Sequence, residues 1–326
     1  MKVALLPGDG IGPEVTAAAV LVLGELGVDL ELEEHLFGGG AIHATGEPLP
    51  PETLAAVRGA DAVLMGAVGD PAFDGAGVRP EQGLLRLRAE LDVYANLRPA
   101  RADGVDLVVV RELVGGLYFG ARGVRDDGTV FDTMEYRPDQ VERITRRGFE
   151  LARTRTSRVT SVDKANILET SRLWRETVDR ASADYPDVEL EHMLVDNCGL
   201  QLVLAPEQFD VILTENTFGD ILSDVAAGLT GGLGLAASAS IGDGRPWIFE
   251  PVHGSAPDIA GRGIANPAAM LRSAALMLAQ GLDEPGEAAR LEAAVDVALA
   301  SAPTPDLGGR ATTAELTDAV VRALKS

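Results

Sequence analysis

Short apolar runs alternate with longer helical patterns along most of this chain, and that alternation restricts the fold more than any other feature. Residues 3–6, 28–32, 62–65, 105–110, 159–162, 188–195 and 211–213 read as strands, with helical periodicity between most of them. Parallel neighbours need long crossovers, and helices supply them, so the pattern argues an α/β protein with a substantially parallel sheet. From residue 266 onward the chain reads as almost entirely helical. Residues 119–137 carry glycine, Asp126-Asp127-Gly128 and β-branched or aromatic residues without helical period. They read as a projecting hairpin, and a projection needs a partner. A length of 326 residues, 46% of them hydrophobic, exceeds one ordinary core and argues roughly two domains. No Ser/Pro-rich linker divides them, so interleaved domains are expected.

Charge excludes some partners. The formal net charge is -22 and no basic run is clustered, which argues against a nucleic-acid or anionic-membrane surface. An anionic substrate must then meet a local arginine cluster. The single cysteine, Cys198, cannot make an internal disulfide, and no zinc-like Cys/His spacing occurs. With an N-terminus that opens directly into a strand and a glycine turn, the expected compartment is the cytoplasm. The longest uncharged stretch, residues 225–242, is interrupted by Gly, Ser and Thr and reads as a buried helix and loop, not a membrane span.

Only three lysines stand beside twenty-five arginines, and two of them, Lys2 and Lys325, lie at the termini. Lys164, in Ser161-Val162-Asp163-Lys164-Ala165-Asn166, is the internal one. Guanidinium keeps its proton near neutral pH while a perturbed ammonium can release it, so Lys164 is a candidate proton carrier, with an Asp163 ion pair as the plain alternative. Gly8-Asp9-Gly10-Ile11-Gly12-Pro13-Glu14 follows a strand and opens a helix. Pro13 occupies the place where a dinucleotide fingerprint needs its third glycine, so the Rossmann reading is rejected and a tight turn remains. Around Gly83-Leu84-Leu85-Arg86-Leu87-Arg88, helical spacing sets Leu84 and Leu85 on one face with Arg88, an apolar wall beside a cation. Arg98 and Arg111 follow strand-like residues and could converge with Arg88 on carboxylates.

Asp220 and Asp224 stand four residues apart on an expected helix, where like charges repel by roughly 0.2–0.5 kcal/mol unless a cation lies between them. Oxygen ligands select Mg²⁺ or Mn²⁺, and Asp196, after a strand end, is expected to point into the same cleft. Helix capping, by Asp196 itself or by Thr217 ahead of Asp220, is the alternative. The segment from Glu250 to Gly261 is rich in Gly and Pro, carries His253, Ser255 and Asp258, and reads as an irregular binding loop or a connector.

Taken in order, the Gly8 to Glu14 turn, Arg88/Arg98/Arg111, Gly116-Leu117-Tyr118, Asp163-Lys164-Ala165-Asn166, Asp220 with Asp224 and the Glu250 to Gly261 loop resemble, over essentially the whole length, the β-decarboxylating dehydrogenases, the family of isocitrate and isopropylmalate dehydrogenases. The resemblance implies that family's α/β fold, not a Rossmann fold, with two interleaved domains. The first would take residues 1–95 and 232–326; the second would take 96–231, with residues 119–137 as an intersubunit arm of a homodimer. It implies oxidation of a 2-hydroxy acid by NAD, loss of its β-carboxylate and protonation of the enolate. Lys164 and Asp196 from the second subunit would take the hydroxyl proton, and Tyr118 would protonate carbon; an ordinary edge-strand tyrosine is its plain alternative. Asp196, Asp220 and Asp224 would hold Mg²⁺ or Mn²⁺, and Arg88, Arg98 and Arg111 the carboxylates.

By the same resemblance Leu84, Leu85 and Ile167, with Asn166 beside them, match the positions of an isopropyl pocket. Ile11, Glu81, His253, Gly254, Ser255, Ala256, Asp258, Ile259 and Asn266 match cofactor positions. Asp258 would accept the adenosine ribose hydroxyls and repel a 2′-phosphate, favouring NAD over NADP. Two departures bear on the pocket: only twelve residues separate Arg98 from Arg111, and Cys198-Gly199 stands where Ala or Met is common. Homoisocitrate, isocitrate, tartrate or a shorter alkylmalate are the rival substrates. A metal-dependent phosphatase or an inactive binding protein are the rival classes.

Overall fold

The structure, a computed structural model, describes residues 1–102 and 104–326. Its chain divides into two compact units, Met1–Val93 with Leu233–Ser326, and Tyr94–Gly232. The N-terminal segment runs β1 (Lys2–Gly8), α1 (Gly12–Leu23), β2 (Glu31–Glu34), α2 (Gly38–Thr45), α3 (Pro51–Arg58), β3 (Ala62–Ala67) and α4 (Pro80–Glu90). β1 pairs in parallel with β2 and β3. Every residue of β3 is buried, which is why it reads as one apolar run. β2 begins at Glu31 instead of residue 28. Its register is set by β1, with Lys2 opposite Glu31 and Leu5 opposite Glu34, and as an edge strand it needs no apolar run to hold its place.

The second unit contains β4 (Ala95–Ala102), β5 (Val105–Glu112), a 3₁₀ turn at Gly116–Tyr118, β6 (Arg122–Val124), β7 (Val130–Asp132), α5 (Pro138–Arg153), β8 (Arg158–Asp163), α6 (Glu169–Ser182), β9 (Glu189–Leu194), α7 (Val195–Leu204), β10 (Val211–Thr214) and α8 (Asn216–Leu229). Its strands lie in the order β4-β5-β10-β8-β9. All neighbours are parallel except β4 with β5. β4 escapes the sequence pattern because Pro99 and three polar or charged residues break its apolar run, yet it pairs with β5 from Ala95 to Ala102. Ala102 opposes Val105, so the short Arg98-to-Arg111 segment is a tight hairpin. α5 buries Val141, Ile144, Phe149 and Ala152 along one stripe, each large side chain contributing roughly 1.5–3 kcal/mol of transfer free energy. β6 and β7 form the expected hairpin, with Val124 and Val130 exposed.

The chain then returns through β11 (Ala237–Ile241), β12 (Trp247–Pro251), α9 (Ala268–Leu276), α10 (Pro285–Ser301) and α11 (Thr313–Leu324). β12 pairs in parallel with β3 and antiparallel with β11, which completes the order β2-β1-β3-β12-β11 in the first unit. Two readings change here. Residues 225–242 end in a buried strand, not a loop, and Glu250 and Pro251 belong to β12, not to the irregular segment. Both strands are made of small or mixed residues, and partners rather than periodicity define them. Among the described residues no helix is long and apolar enough to cross a membrane.

Candidate active site

The second unit delivers its functional residues from strand ends. β5 carries Arg111 at its penultimate position, β8 ends at Asp163 beside Lys164, and β10 leads through Glu215 into α8. These strands are parallel, so their C-terminal ends gather on one side, where α/β sheets build sites. Glu215 caps α8 by accepting the Thr217 and Phe218 N–H groups at 2.9 and 2.6 Å. Thr217 is therefore not the cap, and Asp220 is not an acid behind it.

One turn into α8, Asp220 accepts from Arg111 Nη1 and, at 2.9 Å, from the Tyr118 hydroxyl. Arg98 Nη1 lies 3.4 Å from Asp220 and 3.3 Å from Asp224, and donates to Ser223 at 2.7 Å. Arg98 and Arg111 thus converge on the two aspartates. Gly219 makes this approach feasible, because a Cβ there would lie 2.6 Å from Arg111 Cγ. Burial pushes the Asp224 carboxyl above the usual range; Arg98 opposes that rise and the Asp220 charge adds to it. Burial and the Asp220 charge also raise the Tyr118 hydroxyl, which keeps it protonated at neutral pH. Tyr118 sits in the 3₁₀ turn and not on an edge strand, with the Arg111 guanidinium 5.7 Å from its ring centre.

Lys164 makes its ion pair with Asp196 and not with Asp163. Asp163 instead takes a bidentate pair with Arg175, at 2.8 and 2.9 Å, and accepts the Ala165 N–H, which turns the chain after β8. The Lys164 ammonium holds the Asp196 carboxyl below its ordinary range. Asp196 lies in the first turn of α7, whose cap position is Leu194, so it is not a cap either. The resemblance has Asp196 meet Asp220 and Asp224 from a second subunit, not within one chain. Among the described residues no group of three His, Cys, Asp or Glu side chains is placed to hold a metal, and Asp196 is engaged by Lys164. Lys164, Asp196, Ile167, Phe218, Ile221 and Val225 line a cavity of about 460 Å³. Ile167 is 65% exposed and Asn166 is exposed beside it. Cys198 is fully buried, and burial pushes its thiol up to about 12. A Cβ on Gly199 would meet Leu222 only at 3.9 Å, so the packing beneath Asp196 is ordinary.

In the first unit Arg88 is buried and pairs with Glu250 at 2.8 Å, while its Nε is buried without a hydrogen-bond partner. Leu84 and Leu85 are half-buried one turn earlier, Leu84 packing on the apolar core. The turn after β1 docks on the segment after β12: the Ile11 N–H donates to the Ser255 carbonyl at 2.8 Å. Gly10, at φ +59, admits no side chain there, since a Cβ would lie 1.9 Å from the Ser255 oxygen. Ser255 Oγ and the Glu81 carboxylate both approach Gly69, 3.3 and 3.4 Å from where its Cβ would stand. The Ile259 N–H closes a turn on the Ala256 carbonyl, leaving Asp258 and Gly254 exposed. His253 Nδ1 contacts the Gly254 carbonyl, but its Nε2 is buried with no partner, and burial lowers the ring's pKa. Asn266 is engaged within the chain, donating to Asp306 and accepting the Ala268 N–H.

The fit to absent groups follows from these donors. Asp220 and Asp224 offer hard oxygen ligands that repel one another, which suits Mg²⁺ or Mn²⁺. The unpartnered His253 nitrogen, the exposed Asp258 carboxylate and the Ser255/Glu81 approach suit a nucleotide cofactor. Sequence reasoning missed Asn216, Tyr136, Ser223 and the partner role of Glu250. Asn216 opens α8, four residues before Asp220, and its place at the start of a helix was its only signal.

Comparison with known proteins follows the same lines. A family model described as isocitrate/isopropylmalate dehydrogenase matches residues 2–320. The 3-isopropylmalate dehydrogenase of Zymomonas mobilis is 51% identical over 348 aligned positions, covering 99% of this chain and 100% of that protein. That of Deinococcus radiodurans is 50% identical, covering 100% of this chain and 98% of its own. Among solved structures, an isocitrate dehydrogenase from Methylococcus capsulatus matches with a TM-score of 0.93 and 40% identity, over 100% of this chain and 99% of that one.

Proposed function

Because the chain belongs to the isocitrate/isopropylmalate dehydrogenase family, we infer that it carries out the oxidative decarboxylation of 3-isopropylmalate to 2-oxoisocaproate in leucine biosynthesis. The observation that carries the chemistry is the contact of Arg111 and Tyr118 on Asp220, which sets a carboxylate binder, a proton donor and a hard ligand within hydrogen-bond reach of each other.

Arg98 and Arg111 bind substrate carboxylates through planar forks, and Arg88 contributes its free Nε. Lys164 as the amine takes the proton of the 2-hydroxyl, and Asp196 accepts a hydrogen bond from the ammonium so formed. The C2 hydride leaves, the bond to the β-carboxylate breaks as CO₂ departs, and the electron pair stays on the enolate. Tyr118 then gives its proton to that carbon. NAD would supply the hydride acceptor and Mg²⁺ or Mn²⁺ a Lewis acid. Asp220 and Asp224 would hold the metal with Asp196 of a partner subunit.

That composition calls for a homodimer. Leu200, Val203 and Leu204 of α7 and Ile221 of α8 are all more than half exposed, an apolar face suited to a second copy. Asp258 selects NAD, since its carboxylate would oppose a 2′-phosphate. Leu84, Leu85 and Ile167 favour an alkyl over a carboxylate side chain, which argues against isocitrate. The same reading places the enzyme in the cytoplasm, where the buried Cys198 thiol stays reduced.

NADH formation with 3-isopropylmalate tests the reading, run beside isocitrate, homoisocitrate and tartrate, with NADP⁺ in place of NAD⁺, and after chelation. Turnover is expected with 3-isopropylmalate and NAD⁺ and is lost on chelation. Faster turnover of isocitrate than of the alkyl acid would overturn the substrate, and full activity after chelation would remove the metal.

A further inference from the structure

Asn216 has no solvent exposure, and its polar atoms are directed at the groups that do the chemistry. Its Oδ1 accepts from Arg111 Nε at 3.0 Å and Nη2 at 2.7 Å. Its Nδ2 donates to the Gly115 carbonyl at 3.0 Å. Gly115 opens the turn that ends in Tyr118, Tyr118 donates to Asp220, and Asp220 accepts from Arg111. The contacts therefore close a ring: Asn216, Gly115, Tyr118, Asp220, Arg111 and back to Asn216.

Tyr136 is the seat of this ring. Its hydroxyl accepts the Asn216 N–H at 3.0 Å and lies 3.4 Å from a Glu215 carboxylate oxygen. Its side chain packs under the turn so closely that a Cβ on Gly115 would come within 2.7 Å of the ring and one on Gly116 within 2.5 Å of the hydroxyl oxygen and 3.0 Å of the ring. Glu112 completes the support by accepting the Val114 and Gly115 N–H groups at 3.0 and 2.9 Å. Buried, fully paired polar networks of this kind fix one arrangement of side chains, and a proton donor displaced by about 0.5 Å loses its alignment.

We propose that Asn216, seated on Tyr136, is a positioning residue that sets Arg111 and Tyr118 relative to each other, so that one buried amide aligns carboxylate binding with proton delivery. The proposal rests on the function inferred above. Neither Asn216 nor Tyr136 touches the reacting atoms; both act through Arg111 and Tyr118.

Two variants of the full-length enzyme test it. Asn216→Ala removes the Oδ1 that anchors Arg111 Nε and Nη2 while leaving the Asp220 contact, and the KM for 3-isopropylmalate is expected to rise about tenfold, while the KM for NAD⁺ stays within about twofold. Tyr136→Phe keeps the ring under Gly116 and removes only the hydroxyl. Its kcat is expected to fall several-fold, with a larger solvent deuterium isotope effect and a burst of NADH ahead of slower turnover, because protonation follows hydride transfer. A reduced folded fraction would lower kcat without moving the isotope effect. Kinetic constants and isotope effects equal to wild type in both variants overturn the proposal; if Asn216→Ala fails to melt cooperatively, Tyr136→Phe decides alone. A crystal structure of either variant reads the positioning directly. Unmoved Arg111 and Tyr118 side chains overturn the proposal even where wild-type enzyme forms no NADH from 3-isopropylmalate, an outcome that would refute the substrate instead.

Discussion

In the second unit Arg98, Arg111, Tyr118, Asp220 and Asn216 bond to one another around the site, whereas in the first unit the segment after β12 leaves His253 Nε2 unpartnered and Asp258 exposed. The contrast follows from what each must bind. A desolvated charge left alone costs several kcal/mol, so a pocket for a dianion and a dication must carry its own counter-charges until ligands replace them. A neutral donor or acceptor left unpaired costs only about 1–3 kcal/mol, which a nucleotide can relieve on binding. The first arrangement spans strand ends and a helix; the second is a loop on a glycine turn.

Three measurements sharpen or break this contrast. The largest effect is expected from Lys164→Arg, which keeps the charge beside Asp196 but removes a group able to exchange its proton. Its kcat should fall by ~10²–10⁴-fold with little change in melting temperature. A loss below about fivefold would mean that Lys164 only balances charge and is not the proton acceptor. A smaller effect is expected from His253→Ala, read by initial rates at varied NAD⁺. The KM for NAD⁺ should rise by about tenfold while the KM for the acid holds. Equal changes in both would erase the distinction between the two regions.

The smallest effect concerns stability. Burial pushes the Glu112 carboxyl from 4.5 up to about 7, against the backbone N–H groups of Val114 and Gly115 that it accepts. A carboxyl raised in the folded state favours folding while protonated. Its contribution is therefore full below pH 4.5 and is lost as pH rises through about 7. Urea midpoints measured from pH 4.5 to 8 should fall more steeply for wild type than for Glu112→Gln across that window. Parallel curves would place the Glu112 titration outside it.

Part of the arrangement was legible in order along the chain: Arg98 and Arg111 as two of three candidate converging arginines, Asp220 with Asp224 on one helix, and the Gly8 to Glu14 segment as a tight turn between strand and helix. Short-range chemistry explains that success, because i, i+4 spacing and a proline at a helix start are local statements. Failures came where a partner far along the chain decides the outcome. For Lys164 only the plain alternative of an Asp163 pair gives way, since Arg175 already holds Asp163 and Lys164 pairs with Asp196, which the family resemblance had set beside it. Thr217 reads as a cap, yet the helix already begins at Asn216, and Glu215 caps it through the Thr217 and Phe218 N–H groups. β11 reads as no strand at all, and β4 only as a few strand-like residues before Arg98, because pairing with β12 and β5 replaces the apolar run as their reason to be extended.

The amino-acid order by itself determined the α/β alternation, the rejected Rossmann turn, the dominance of arginine and the carboxylate pair on one helical face, because each depends on periods of two to four residues. Tertiary structure alone decided which arginine meets which aspartate, that Asn216 and Tyr136 stand beneath them, and that Asp196 turns to Lys164. Those choices compare one buried charge against every partner the folded chain can bring within 3–4 Å, and that comparison exists only once the strands have been laid side by side.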